Sequence, residues 1–400
     1  MQVNNRISFA EFKILSVIML IAVCGLLGLD IHLASLPLIM HDMHTDQAHI
    51  QQSITLFLLG MGGSLLFYGP LSDKYGRKPI VTIGLSLAIV TSFTAAFTST
   101  IHLFLFMRLL QGIGSGVCMG LGRTMMADIL QGARLANIGS YFAMAITLSP
   151  LFAPALGGYI QTWFGWQMNF IVLGLILSTA LGLYLWLCPE TNQHKNPLAF
   201  TIRGLCQNYI STIKHRQFMA CTLLSGLAIG ANMAYAALSP FILQNQYHLS
   251  PIMYGWVTAS VAVGNLLGKF FTPATNNRLG LYQTLGIGCA LLLLPGLVLL
   301  ILLVLKLQYL ILLVLAVFMS LFSQAYITAN AAALAMSGCK DKRGAAGALY
   351  GSFQLLTAFL STAIVSILST EGIRLLGISY CLLGLGALAI YNLMLKPTQQ

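Results

Sequence analysis

Gly69-Pro-Leu-Ser-Asp-Lys-Tyr-Gly-Arg-Lys-Pro79 decides the fold. The stretch gathers one acid and three bases between two long apolar runs, in a chain otherwise poor in charge. Gly69 and Gly76 permit a tight turn. Asp73 stands at the end of the first run, and Arg77 and Lys78 are placed to pair with nearby acids or carbonyls. A charged turn between such runs belongs at a membrane surface, so the flanking chain reads as membrane spans.

Composition agrees. Hydrophobic residues make up 58% of the chain and charged residues 7%, whereas a soluble domain carries about 25% charge. This chain cannot cover a water-facing surface. A helical span needs about 20 apolar residues, and backbone polar groups in lipid must be satisfied internally. The runs are far longer than barrel strands, which predicts an all-α polytopic membrane protein. Twelve spans are expected, at about 14–38, 50–71, 79–99, 102–124, 137–160, 168–188, 217–240, 252–272, 281–304, 309–333, 345–368 and 374–395. The polar segment Pro189–Arg216 divides them six and six. The expected organisation is an N-terminal six-helix bundle over 1–188, a cytoplasmic linker over 189–216 and a C-terminal bundle over 217–400.

The net charge of +11 does not call for nucleic acid. The loops on one face collect Lys74, Arg77, Lys78, Arg134, Arg278 and the basic residues of 340–343, against Lys306 and Arg374 on the other. That is the positive-inside bias, and it predicts cytoplasmic termini. The first apolar run is too long for a cleavable signal peptide. The eight cysteines avoid the external loops and form no Cys-x-x-Cys, so they read as packing residues rather than disulfides or a zinc site.

The 69–79 stretch resembles the signature loop between helices 2 and 3 of the major facilitator superfamily, G-x-L-x-D-x-x-G-R-K/R. Gly69, Asp73, Gly76, Arg77 and Lys78 fall on its fixed positions. Arg108-Leu-Leu-Gln-Gly-Ile-Gly-Ser-Gly116 is similar to the family's R-x-x-Q-G-x-G motif. Ser149-Pro-Leu-Phe-Ala-Pro-Ala-Leu-Gly-Gly158 resembles its antiporter motif, with Ala153 in place of the first Gly. Trp163 to Phe170 and Pro189-Glu-Thr191 sit where the family has its G-W-x-x-x-F and P-E-T marks. Leu29-Asp-Ile-His-Leu-Ala-Ser-Leu-Pro37 resembles the D-x-x-L-P-x-L-P signature of the twelve-span drug:proton antiporters (Bcr/CflA, MdfA-like), with Ala34 at the first Pro. At one constant offset Gly69, Asp73 and Gly76 overlie Pro273, Asn277 and Gly280, a trace of duplication.

The resemblance implies a major facilitator fold: two pseudo-symmetric six-helix bundles with 12 transmembrane helices in the bacterial inner membrane. It implies a monomer without cofactor or enzymatic activity, whose partners are protons, the lipid bilayer and a small-molecule substrate. The expected function is proton-coupled export of drugs or amphiphilic metabolites by antiport. A dedicated exporter or importer of one compound, such as a siderophore, is the alternative.

Asp30 is read as the one acid deep inside a span. Such a group costs about 3 kcal/mol, so it faces a watered cavity or a partner, or ties helices by a hydrogen bond. It lies about 15 Å from the outer face and Arg108 about 9 Å from the same face, which makes Arg108 or Gln111 a possible contact. Proton coupling is assigned to Asp30 and Arg108. Some relatives carry a second acid where this chain has Ala22, so a one-proton cycle is expected.

The candidate substrate cavity comprises Asp30, Gln111, Tyr141, Asn232, Tyr235, Asn265, Gln324, Asn330 and Gln354. Interhelical hydrogen bonding is the competing role for these polar groups. Gating falls to Gly69, Asp73, Gly76, Arg77 and Lys78, with Asp73 latching onto the helix amino terminus near 340–344. Arg123 either serves Asp128 or snorkels to the interface. Pro150, Pro154, Gly157 and Gly158 are read as mechanical, facing the glycines of span 4. His41, His44 and His49 cluster with Asp42 and Asp46 without metal-ligand spacing. No metal site is assigned.

Overall fold

The computed structural model describes residues 8–193, 195, 209–307, 309–338, 343–368 and 372–395. Half of the 189–216 linker, the 340–342 stretch and Glu371 lie outside them.

Among the described residues the long elements are all helical: α1 Phe9–Asp30, α2 Leu36–Asp42, α3 Gln47–Tyr75, α4 Arg77–Ala96, α5 Ile101–Ile129, α6 Gly132–Phe164, α7 Gln167–Leu187, α8 Arg216–Phe241, α9 Pro251–Leu279, α10 Leu281–Val304, α11 Leu310–Ser337, α12 Arg343–Ile367 and α13 Gly372–Ile390. α1 and α2 together make the first span, so thirteen helices supply the twelve expected crossings. Eleven of these crossings are long and apolar enough to traverse a bilayer. The exception is α9, which carries Asn265, Lys269, Asn276 and Asn277.

The first span is broken where a continuous helix was expected. α1 stops at Asp30, residues Ile31 and His32 turn, and Leu33–Ser35 form a 3-10 turn before α2 begins with Pro37 in its first turn. Proline has no N–H to give and fits best in a first helical turn. The break therefore falls just ahead of it and leaves Asp30 at a helix end.

The packing is internally repeated. In the first half α1 packs on α5, α6 and α7, α3 on α5, and α4 on α5 and α7. In the second half α8 packs on α11, α12 and α13, α9 on α11, and α10 on α11 and α13. Each pair in one list has its counterpart six spans later in the other. This is the packing form of the pseudo-symmetry that the weak loop repeat suggested.

The bundles meet along α3 with α12 and α6 with α9. Thr55 donates to Thr362 at 3.0 Å, Gln51 Nε2 to the Ala237 carbonyl at 3.0 Å, and Gln244 Nε2 to the Ala34 carbonyl at 2.8 Å. These contacts lie at the end away from the signature loop. Along α12, Gly351 still touches Leu65, but Gly347 and Gly344 face open space. The halves are closed at one end and parted toward the signature loop.

Candidate functional site

Asp30 is buried, 6% exposed, at the break of the first span. Ser149 of α6 donates to its Oδ2 at 3.3 Å, and Tyr254 of α9 lies within electrostatic reach from the other bundle. The acid therefore sits where α1, α6 and the opposite half converge.

Arg108 does not pair with it. No ion pair within 4.0 Å joins the two. α1 and α5 do adjoin, but the guanidinium is engaged elsewhere. Nη1 donates to the Gly28 carbonyl at 3.0 Å and to Gln111 Oε1, and Nε donates to the Ser53 carbonyl at 3.3 Å. Its Cζ stands over the Phe57 ring, 4.5 Å from the ring centroid. Depth placed the two residues at similar heights, but their azimuths differ: Arg108 meets α1 at Gly28, while Asp30 looks toward α6. Gln111 is wholly buried and donates to Ser92 Oγ at 2.6 Å. It belongs to the interior of the first bundle, not to a cavity wall.

His32, passed over in the sequence, is fully buried, and neither ring nitrogen has a protein partner. Its ring centroid lies 5.7 Å from Phe170, the ring that also flanks Arg108. Its adjacency to Asp30 was the available signal.

The remaining cavity candidates disperse. Tyr235 is buried with its hydroxyl 3.5 Å from Thr258. Asn265 donates to the Leu321 carbonyl at 3.3 Å. Asn330 donates to Tyr326 of its own helix at 2.7 Å, and its carbonyl oxygen, like that of Gln324, has no protein partner. Gln354 donates to Ser225. Asn232 is half-buried and Tyr141 is exposed on α6.

Lys269 was missed outright. It lies on α9 about 15 Å from the helix end, and its Nζ donates to Thr147 of α6 at 2.6 Å across the bundle interface. A lysine between Gly268 and Phe270 in an apolar run was legible in the sequence.

The signature loop closes on its own bundle. Gly76 adopts φ +106°, a conformation that favours glycine, and a Cβ there would stand 2.4 Å from Glu190 Oε2. That space is used: the backbone amides of Arg77 and Lys78 donate to Glu190 at 2.8 and 3.0 Å. The Glu of the P-E-T mark thus caps the amino terminus of α4, where an anion is favoured. Arg77, buried at 6% exposure, pairs with Asp73 at 2.5 Å and Asp128 at 3.0 Å. Lys78 Nζ donates to the carbonyls of Leu185 and Cys188. Asp128 is therefore served by Arg77 and by Thr191, and Arg123 makes no ion pair with it. The latch partner expected for Asp73, near 340–343, lies outside the described side chains.

The glycines of α5 mostly face α3 and α4 rather than α6. A Cβ on Gly112 would stand 2.1 Å from the Phe57 carbonyl oxygen, and one on Gly114 2.6 Å from that of Gly84. Only Gly122 meets α6, through Phe142. The antiporter-like stretch instead packs on the broken first span and on α9: a Cβ on Gly157 would lie 1.8 Å from the Ile31 carbonyl oxygen, and one on Gly158 2.3 Å from that of Pro251. Pro150 and Pro154 lie inside the same helix. At the end away from the signature loop, Asp46 caps α3 by accepting from the His49 amide at 2.8 Å. Among the described residues no group of three His, Cys, Asp or Glu side chains is placed to hold a metal.

Two repeated six-helix bundles closed at one end, with a buried acid at a helix break beside the interface, define a polytopic membrane transporter rather than an enzyme. The sequence model of the Major Facilitator Superfamily matches residues 18–362 and 220–400, and the chain belongs to that family. It is 24% identical to a bicyclomycin resistance protein homolog of Haemophilus influenzae over 85% of each chain. It is 29% identical to the multidrug resistance protein MdtL of Shewanella oneidensis over 63% of each. Among solved structures it superposes on the xylose transporter XylE of E. coli with a TM-score of 0.77 at 15% identity, covering 97% of each chain.

Proposed function

We propose that this transporter exports drugs or amphiphilic metabolites from the bacterial cytoplasm across the inner membrane, in exchange for protons, by alternating access. It works as a monomer with both termini inside. The observation that carries the reading is the position of Asp30. It is the acid buried within the spans at the point where the break in the first span, Ser149 of α6 and Tyr254 of the opposite bundle meet. Rocking of one bundle against the other changes what surrounds that carboxyl, and so whether it holds a proton. The similarity to drug-resistance proteins supports drugs as the cargo.

Arg108 has a supporting role. By binding the Gly28 carbonyl it secures the last turn of α1 and thereby the height of Asp30. The closed end faces outward and the parted end faces the cytoplasm. Asp73, held here by Arg77, is free to engage α12 when the inner side shuts.

Proton release from proteoliposomes on addition of substrate tests the reading. Release in wild type that is lost in Asp30→Asn is expected. Equal release from the variant removes Asp30 from the coupling step.

A further inference from the structure

Among the described residues three cations inside the spans lack a counter-ion: Arg108 is held by carbonyls and Gln111 inside the first bundle, and the other two stand on opposite bundles. Lys269 projects from α9 and Arg123 from α5, close enough for the charge of one to act on the other. Among the described residues no carboxylate comes within the 4.0 Å of an ion pair to either. The nearest acid along α5, Asp128, is taken by Arg77. Thr147 accepts one of the three ammonium protons of Lys269, which leaves two donors for a ligand.

Arg123 is exposed and Lys269 half-buried, so both side chains are accessible to a ligand. Tyr350 of α12 lies within electrostatic reach of Arg123, beside Gln354 and Ser225. Two residues past Lys269 on α9, Phe271 begins a run of tilted rings that continues on α11 through Phe322 and Tyr326, with ring centroids 6.5 and 5.1 Å apart.

A charge held inside a membrane span is costly unless paired, and like charges within reach of each other add to the cost. A ligand that supplies the missing negative charge relieves both penalties. We propose that Arg123 and Lys269 form a two-sided clamp for the anionic head of an amphiphilic substrate, a carboxylate or sulfonate whose apolar body lies against the aromatic wall. This deepens the exporter reading and rests on it. It also gives the cargo a charge, since a cation meets two positive side chains on entering from the parted end. Because the clamp spans both bundles, the anion draws α5 and α9 together, and binding is coupled to closure of the inner side.

The test uses the purified full chain in phosphatidylcholine nanodiscs, where no anionic lipid competes. Binding of naphthylacetate, naphthylacetamide and naphthylethylamine is measured by calorimetry: one apolar body with an anionic, a neutral and a cationic head. Naphthylacetate is expected to bind about tenfold tighter than the amide, as charge-assisted hydrogen bonds require, and the amine weakest. Lys269→Met and Arg123→Gln each erase the preference while leaving the amide's affinity in place, and Lys269→Arg keeps it. An amide that binds as tightly as the acetate, an amine that binds tightest, no binding of any probe, or a preference that survives both substitutions together overturns the clamp. No proton gradient is present, so the outcome is independent of coupling. Selective binding without substrate-triggered proton release would retain the clamp and discard the antiport.

Discussion

Gly157 lies directly beneath Ile31, so close that a methyl on it would stand 1.8 Å from the Ile31 carbonyl oxygen. Ile31 is the first residue past Asp30, inside the break of the first span. The glycine of the antiporter-like stretch thus sets how closely α6 approaches Asp30, to which Ser149, two turns earlier on α6, donates.

Gly157→Ala sets two effects against each other. Alanine gains about 1 kcal/mol in helix propensity, but the contact forces a backbone shift of the overpacking kind, about 1–3 kcal/mol or more. Sterics win, and a lowered unfolding temperature is expected in detergent. Gly182→Ala on α7, where nothing lies within 4 Å, retains only the propensity gain and should unfold slightly higher. Equal behaviour of the two variants would show that the α6 contact does not constrain the first span.

Glu190 gives a pH signature. Burial pushes its carboxyl up, but the amides of Asn192, Arg77 and Lys78 and the charge of Lys195 hold it below the usual carboxylate range. A carboxyl lowered in the folded state stabilises above its unfolded pKa of about 4.3, and that stability is lost as pH falls through the folded value. Glu190→Gln should cost about 1 kcal/mol at neutral pH and flatten the acid limb of thermal stability against pH. An unchanged acid limb would mean that the cap at the start of α4 contributes nothing.

The parts legible in the sequence were those written in periodicity and local chemistry. The spans, the six-plus-six division and the signature loop follow from run lengths and from charged turns such as Asp73 to Lys78. The Asp30 to Arg108 contact did not follow. Depth counts residues along an axis, whereas each residue turns the side chain by about 100° around it, and azimuth is decided by packing. Arg108 thus reached the height of Asp30 and bonded Gly28. Gln111 went inward for the same reason. The break at Ile31 and His32 was foreshadowed by Pro37, which a continuous helix could not hold unaided. Lys269 was plain in the sequence but was absorbed into an apolar run. It is also part of why α9 is the least membrane-like of the spans.

The charge of the cargo fixes the electrical cost of a transport cycle. With Asp30 carrying one proton inward, export of a neutral amphiphile moves one positive charge inward. Export of a monoanion adds a second equivalent charge, because a negative charge leaving equals a positive one entering. Each charge is worth about 2.3 kcal/mol per 100 mV, so the inside-negative potential drives anion export with about 4.6 kcal/mol and neutral export with about 2.3 kcal/mol per 100 mV. In proteoliposomes clamped with potassium and valinomycin, naphthylacetate gradients at steady state should respond to voltage twice as steeply on a logarithmic scale as naphthylacetamide gradients. Lys269→Met should suppress the steep response by losing the anion, while the shallow one persists. Equal slopes for the two probes would mean that the negative charge does not travel with the substrate through the clamp.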